Sequence, residues 1–275
     1  MSLFRICQSC LCRVFAVAGV YDMFSVKRFI LIGIDLTKHG SKIATALLEA
    51  GERPLGAVIS TWDHDLVRIC EPFRKSWREP TAAKELAAMI PAQTSDDAIV
   101  GIYKKYNVPF IFVDKLSSDI AVEIIKETGA DTALLAEGPI LKGPVLGSVP
   151  QGIVNFHAAP LPACRGNYAT YWALYNDVPL EVSAHIVSAG IDTGDILMKT
   201  RLPVFRGDTL TDIDSRGYEV AGALAVALIR QAKSTGIKPI RQERWEGTDF
   251  RGNMPEDIIQ ECARRLAAGE YGFYE

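Results

Sequence analysis

An asparagine and a histidine two residues apart, in Val154-Asn155-Phe156-His157, close an apolar run. A proline-kinked loop ending in Arg165-Gly166 follows at once. Residues i and i+2 of a strand share a face, so Asn155 and His157 point one way and Val154 and Phe156 the other. An amide at a strand end can donate to an oxygen that turns negative. An imidazole can take or give a proton near neutral pH. A carboxylate would complete the set by orienting or charging the imidazole. Asp192, in Gly190-Ile191-Asp192-Thr193-Gly194, is the candidate, with Asp195 as its competitor in the same turn. Each feature also has a plainer reading: a satisfied polar pair, and an aspartate that stabilises a turn.

The elements that must position these groups alternate along the chain. Residues 28–34, 55–60, 109–113, 131–137 and 152–158 are apolar runs of strand length. Helical patterns fall between them at 41–51, 96–106 and 118–128, the first closed by a glycine where a C-cap belongs. Residues 61–95 interrupt the alternation as a long insertion with a helix near 82–90, of the kind that frames functional sites. Helix 168–176 follows. Two antiparallel or edge strands then flank the Ile191–Gly194 turn, a long helix covers 209–234, and a strand at 238–244 and a helix at 255–267 end the chain. This is an α/β pattern: an open, mainly parallel twisted sheet with helices on both faces. In such sheets ligands sit at the carboxyl ends of the strands, where strand order reverses, and Asn155 and His157 lie at such an end.

Composition limits the partners. The 275 residues are 48% hydrophobic with net charge −3, which supplies a core and no basic footprint for nucleic acid. No apolar run is long enough to span a bilayer. Residues 1–26 form a separate leader with two arginines and a short apolar stretch. It reads as a dispensable leader or upstream start with Met23 as the alternative start, as an export signal, or as an added structural element. The six cysteines, half of them in the leader, fit a reducing cytoplasmic setting and form no second cluster to complete a metal site. Residues 27–235 are then the catalytic unit and 236–275 a strand–helix extension. Its apolar Ile258, Ile259 and Leu266 suggest a homodimer contact.

The run Asn155-Phe-His157, Leu161-Pro162, Arg165-Gly166, then Gly190-Ile-Asp192-Thr-Gly194-Asp195 resembles the signature of the folate-dependent formyltransferases. That family includes methionyl-tRNA, glycinamide ribonucleotide and amino-sugar formyltransferases. The resemblance runs from Arg28 to Leu228 with motifs in matching order. It implies transfer of a formyl group from 10-formyltetrahydrofolate to an amine, without metal or covalent nucleophile. By the motif match Asn155 donates to the formyl oxygen. His157 stabilises that oxyanion or shuttles protons, and Asp192 raises the histidine pKa and helps the relay. The pterin would lie against Gly138, Pro139, Ile140 and Leu141 and against Ala189, Gly190 and Ile191. Glu137 departs from the pattern there.

The acceptor is read from departures. The Gly/Ser-rich phosphate loop of the glycinamide ribonucleotide enzymes is replaced by residues 33–42, which offer Lys38, Ser41 and Lys42 as anion contacts. The C-terminal barrel of the methionyl-tRNA enzymes has no counterpart in 236–275. The expected partner is therefore a small-molecule amine, with an amino-sugar nucleotide foremost and no nucleic acid. Arg165 either holds a phosphate or carboxylate or pins its loop. Tyr168, with Tyr171 and Trp172, lies beside the site. The alternatives are a formyltetrahydrofolate hydrolase and a non-catalytic binding or scaffold protein on the same fold.

Overall fold

The computed structural model describes residues 23–34, 38–91, 99–136, 138–243 and 252–275. The apolar runs become strands β1 (Phe29–Ile34), β2 (Ala57–Ser60), β3 (Phe110–Val113), β4 (Thr132–Ala136) and β5 (Ile153–His157). They pair in parallel, and β6 (Glu181–Ile186) and β7 (Ile196–Arg201) extend the sheet antiparallel, in the order β3-β2-β1-β4-β5-β6-β7. The chain leaves β1 toward β2 and β3 and returns to its other side as β4, so strand order reverses between β1 and β4. β2 and β3 are buried along their whole length, as helices on both faces require.

The helices are α1 (Lys38–Glu49), α2 (His64–Cys70), α3 (Pro80–Met89), α4 (Ile99–Lys105), α5 (Asp119–Glu127), α6 (Ala169–Tyr175), α7 (Leu210–Ser234) and α8 (Glu256–Ala268). α7 starts at a capping box: the Thr209 hydroxyl accepts from Asp212 N–H and the Asp212 carboxylate accepts from Thr209 N–H. Such a cap satisfies two orphan donors and contributes about 1 kcal/mol. α7 lies against α1 at Gly222, where a Cβ would come within 2.9 Å of Ala46 Cβ and 3.0 Å of the Lys42 carbonyl. The glycine therefore sets how closely these two helices approach. Nearer the start of α7, Gly217 faces Ala158, the residue after His157; a Cβ on that glycine would lie 3.9 Å from Ala158 Cβ.

Three expectations change. Residues 61–91 are not a loop: α2, a 3-10 turn at Glu71–Phe73 and α3 make a helical crossover from β2. Its Cys70, Phe73, Trp77, Leu86 and Ile90 are buried in the core, and burial of that many apolar groups outweighs the mixed charge that made the segment look loop-like. Residues 92–95 lie outside the described residues. The strand expected at 238–244 is one bridge, in which Ile240 and Ile196 exchange backbone hydrogen bonds of 2.8 Å, because Pro239 denies the ladder a donor. Leu266 is buried, and Ile258 and Ile259 are partly buried against the core from α8, so these residues are less exposed than the sequence suggested. Of the leader, residues 1–22 lie outside the described residues. Phe24 and Val26 are core residues, and Phe24 bridges Ile237.

Candidate active site

Alternation on β5 is as read: Val154 and Phe156 are buried beneath the sheet, while Asn155 and His157 are only partly covered on the other face. β6 pairs antiparallel with β5, which sets His185 opposite Asn155 and Ser183 opposite His157. Asn155 Nδ2 lies 3.2 Å from His185 Nε2. His185 Nδ1 lies 3.0 Å from the Ile186 carbonyl. That network assigns the His185 proton to Nδ1 and leaves Nε2 to accept from Asn155. One Asn155 N–H then remains for a ligand.

Asp192 reaches this face by an indirect route. β6 ends beside the start of β5, where Val187 N–H donates to the Ile153 carbonyl at 2.7 Å. The turn into β7 must therefore double back over the sheet. There Asp192 Oδ2 accepts from Gly166 N–H at 2.9 Å and lies 3.7 Å from His157 Nδ1, and Oδ1 lies 3.5 Å from His185 Nε2. Burial pushes the Asp192 carboxyl up, but a hydrogen bond from the His185 ring once Nε2 is protonated, the charge of His157 and the Gly166 N–H together hold it down at about 2. His157 donates Nε2–H to the Cys164 carbonyl at 3.0 Å. Burial lowers its pKa; Asp192 opposes this, His185 adds to it and the Cys164 carbonyl opposes it again. The result is a neutral imidazole whose Nδ1 faces an ionised carboxylate, a base with its counter-ion in place.

The turn has little slack. Asp192 itself sits at φ 50. A Cβ on Gly194 would lie 1.8 Å from the Ile186 carbonyl oxygen, so only glycine fits. Gln242, from the segment after α7, donates from Nε2 to the Asp192 carbonyl at 2.9 Å and the Gly194 carbonyl at 2.6 Å. Its Oε1 accepts from Arg165 Nε at 3.3 Å and Nη2 at 2.8 Å. Arg165 is 7% exposed, so its guanidinium pins two loops together through Gln242.

The other expected contacts lie around this centre. β4 pairs Leu135 with Asn155, so the segment leaving β4 runs beside the end of β5. There Gly138 is partly covered, Pro139 and Ile140 are exposed and Leu141 is buried in the core, leaving only its backbone for a ligand. A Cβ on Gly138 would meet Leu135 Cδ1 at 2.7 Å. Ala189 and Gly190 are exposed and Ile191 partly so. Glu137 lies outside the described residues. Tyr168 is exposed at the N-terminus of α6 with φ 55, an uncommon conformation for a bulky residue. Asp195, the competitor of Asp192, spends its carbonyl on Ile186 N–H in the hairpin, and no contact of its carboxylate with the histidines is seen among the described residues.

The family described as "Formyl transferase" matches residues 79–229, which contain β5, β6 and the doubled-back turn. The chain belongs to this formyl transferase family. A methionyl-tRNA formyltransferase of Trichormus variabilis is 30% identical over 126 residues, 45% of this chain and 38% of that protein. The chain thus spans less than half the length of the curated relative it matches there. Among solved structures, glycinamide ribonucleotide transformylase 1 from Symbiobacterium toebii superposes with TM-score 0.55 at 21% identity, over 78% of this chain and 94% of that one. An N-formyltransferase from Helicobacter canadensis, solved with folinic acid and dTDP-3-aminofucose, gives TM-score 0.53 at 12% identity, over 90% and 84%. These likenesses establish a shared fold.

At this site, the sequence alone did not point to His185 and Gln242. His185 carried a signal: polar Ser183 and His185 alternate with apolar Val182 and Ala184 as Asn155 and His157 do with their neighbours. Gln242 carried none, because its partners lie 48, 50 and 77 residues away.

Proposed function

We propose that the chain is an N-formyltransferase that moves a formyl group from 10-formyltetrahydrofolate to an amine of a small molecule, an amino-sugar nucleotide by preference. The observation that carries this reading is the convergence of Asn155, His157, His185 and Asp192 on one sheet face next to the point where strand order reverses. The donor fits the residues present: exposed Pro139 and Ile140 and the bare backbone of Gly138, Ala189 and Gly190 suit a flat ring with polar edges. When bound, the folate supplies a formyl carbon attached to a nitrogen leaving group.

The chain's residues would then act as follows. Asn155 donates its remaining N–H to the formyl oxygen as the amine nitrogen bonds to the formyl carbon and the carbonyl pair moves onto that oxygen. His157 takes the amine proton on Nδ1, and Asp192 at 3.7 Å stabilises the imidazolium. The oxygen pair re-forms the carbonyl, the carbon–nitrogen bond to the folate breaks, and the proton passes to the leaving nitrogen. One formamide and one tetrahydrofolate result, with protons balanced. His185 fixes Asn155 from across the sheet and acts as a positioning residue.

Calorimetric titration with folinic acid tests the donor site. Saturable binding weakened in Asp192→Ala supports the reading; no binding to folded wild type overturns it. Acceptor class is tested by tetrahydrofolate release with dTDP-3-aminofucose, with methionyl-tRNA and with no amine. A second reading, with methionyl-tRNA as acceptor, is favoured by the curated relatives; faster release with that tRNA would establish it. Release without amine would establish hydrolysis. The small-molecule reading draws on the N-formyltransferase from Helicobacter canadensis, solved with dTDP-3-aminofucose, whose fold aligns over 90% of this chain.

A further inference from the structure

Beside the His157 centre lies a second group of side chains that the transfer step does not use. Thr170 Oγ1 donates to the Ala158 carbonyl and ties the first turn of α6 to the end of β5. Gly217 of α7 faces the same Ala158. These two contacts bring α6 and the early part of α7 against the residue that follows His157. On α6, Tyr171 donates its hydroxyl to Asp214 Oδ2 at 2.6 Å, and the Tyr168 ring lies 5.9 Å from the Tyr171 ring. On α7, Asp214 and Tyr218 are one turn apart and share a face. Tyr218 stacks on His39 of α1 with ring centroids 5.2 Å apart and planes at 28°. The His157 charge acts on His39 across this group and lowers its pKa.

Two members of this group are left under-satisfied among the described residues. His39 Nε2 is closed off from solvent and has no hydrogen bond there. A buried polar nitrogen left so keeps its desolvation penalty uncompensated. Burial, reinforced by His157, holds the ring at a pKa of about 4, so it is neutral at pH 7 and offers a donor or an acceptor. Asp214 is partly buried, and its one partner among the described residues is the Tyr171 hydroxyl; no cation pairs with it there. A carboxylate in that setting calls for hydroxyl or ammonium donors from a ligand. An anion is poorly served here. Asp214 repels it, His39 carries no charge to attract it, and Lys42 on the same helix as His39 is engaged with Glu219 at 2.8 Å.

We propose that His39, Tyr171, Asp214 and Tyr218 form the acceptor pocket and select a hydroxylated amino-sugar ring, with ring hydroxyls on Asp214 and His39 Nε2 and ring C–H groups against the tyrosines. The amine is thereby directed at His157. Tyr168, held at φ 55 at the mouth, is the specificity-determining aromatic for whatever extends beyond the ring. This rests on the formyl transfer reading, and it replaces the lysine and serine anion contacts suggested by the sequence with an aromatic-walled site whose one charged group is the Asp214 carboxylate.

The chain has four histidines, His39, His64, His157 and His185, so its imidazole nitrogen spectrum has four pairs of signals, Nδ1 and Nε2 of each ring, assignable by single substitutions. The protein, saturated with folinic acid, is titrated with D-glucosamine and with dTDP-3-aminofucose. The proposal expects a saturable shift of the His39 signal. It also expects about a tenfold weaker Kd in Asp214→Asn and in His39→Phe, with folinic acid affinity within about twofold of wild type as the check on folding. An amino sugar that binds without moving His39, or with equal Kd in both variants, overturns it. So does the absence of amino-sugar binding in protein that binds folinic acid. Failure to bind folinic acid at all, seen before any sugar is added, overturns the formyl transfer reading itself.

Discussion

Gln242 is the most consequential residue outside the sheet, and its removal can be costed. Gln242→Ala deletes two hydrogen bonds from the buried Arg165 guanidinium and two onto the Asp192 and Gly194 carbonyls. Bonds between neutral groups are worth about 1 kcal/mol net and those to a charged group about 2 kcal/mol. Gln242 is itself partly exposed, so water replaces a share of them. The expected loss is about 3 kcal/mol of stability. For a chain of this size that is a fall in Tm of about 6–12 °C. Asp192 also loses its backbone anchor, so folinic acid affinity should fall about tenfold, which a structural loss elsewhere would not produce. Gln242→Glu separates the two effects. It keeps acceptors for Arg165 but faces two carbonyls with a carboxylate, so it should retain more stability than the alanine variant while losing as much affinity. Differential scanning calorimetry and folinic acid titration read both quantities. A Tm for Gln242→Ala within about 2 °C of wild type, with unchanged affinity, would refute the clamp.

Three other outcomes are expected. Asn155→Ala removes the donor aimed at the formyl oxygen and should cost about 10²–10³ in kcat with folinic acid affinity little changed; equal losses in both would mean that Asn155 only binds. Gly194→Ala puts a methyl where the Ile186 carbonyl already lies, so it should lower Tm and abolish folinic acid binding together, and a normal melting curve would show that the turn has room to adjust. Both His39 and His157 have folded pKa values below the unfolded value, so the stability they contribute is present above about pH 6.5 and is lost as pH falls through the folded values, about 4 for His39. Tm should therefore decline from pH 6.5 to pH 4, less steeply in His39→Gln; Asp192, held at about 2, adds its own loss only below about pH 4.

The strands were legible because each is an apolar run between turn signals, and the pair Asn155/His157 because a strand's period of two is local. What failed was whatever depends on pairing across the chain. His185 becomes a site residue only through its register with Asn155, which no stretch of β6 specifies alone. The 61–91 crossover looked like an insertion since its buried positions are defined by the strands beneath it; the Trp77 ring, for one, would lie 2.6 Å from a Cβ at Gly56. A strand was expected at residues 238–244, but among the described residues only the backbone of Ile240 finds a partner in β7. The acceptor group was half visible: Tyr168 and Tyr171 stood next to the motif, while His39, Asp214 and Tyr218 come from helices far from it in sequence.

The close approach of α1 and α7 at Gly222 has an evolutionary corollary. His39 and Tyr218 are carried on two rods locked together there, so their stacked rings are held in a fixed frame whose chemistry is decided by side-chain identity. The proposed transfer chemistry sits on a different scaffold, β5, β6 and their turn. Mutations that reshape the acceptor wall need not displace the atoms that move the formyl group. A lineage built this way can change its substrate by exchanging a tyrosine or an aspartate, and a designer can do the same, while the reaction is inherited unaltered.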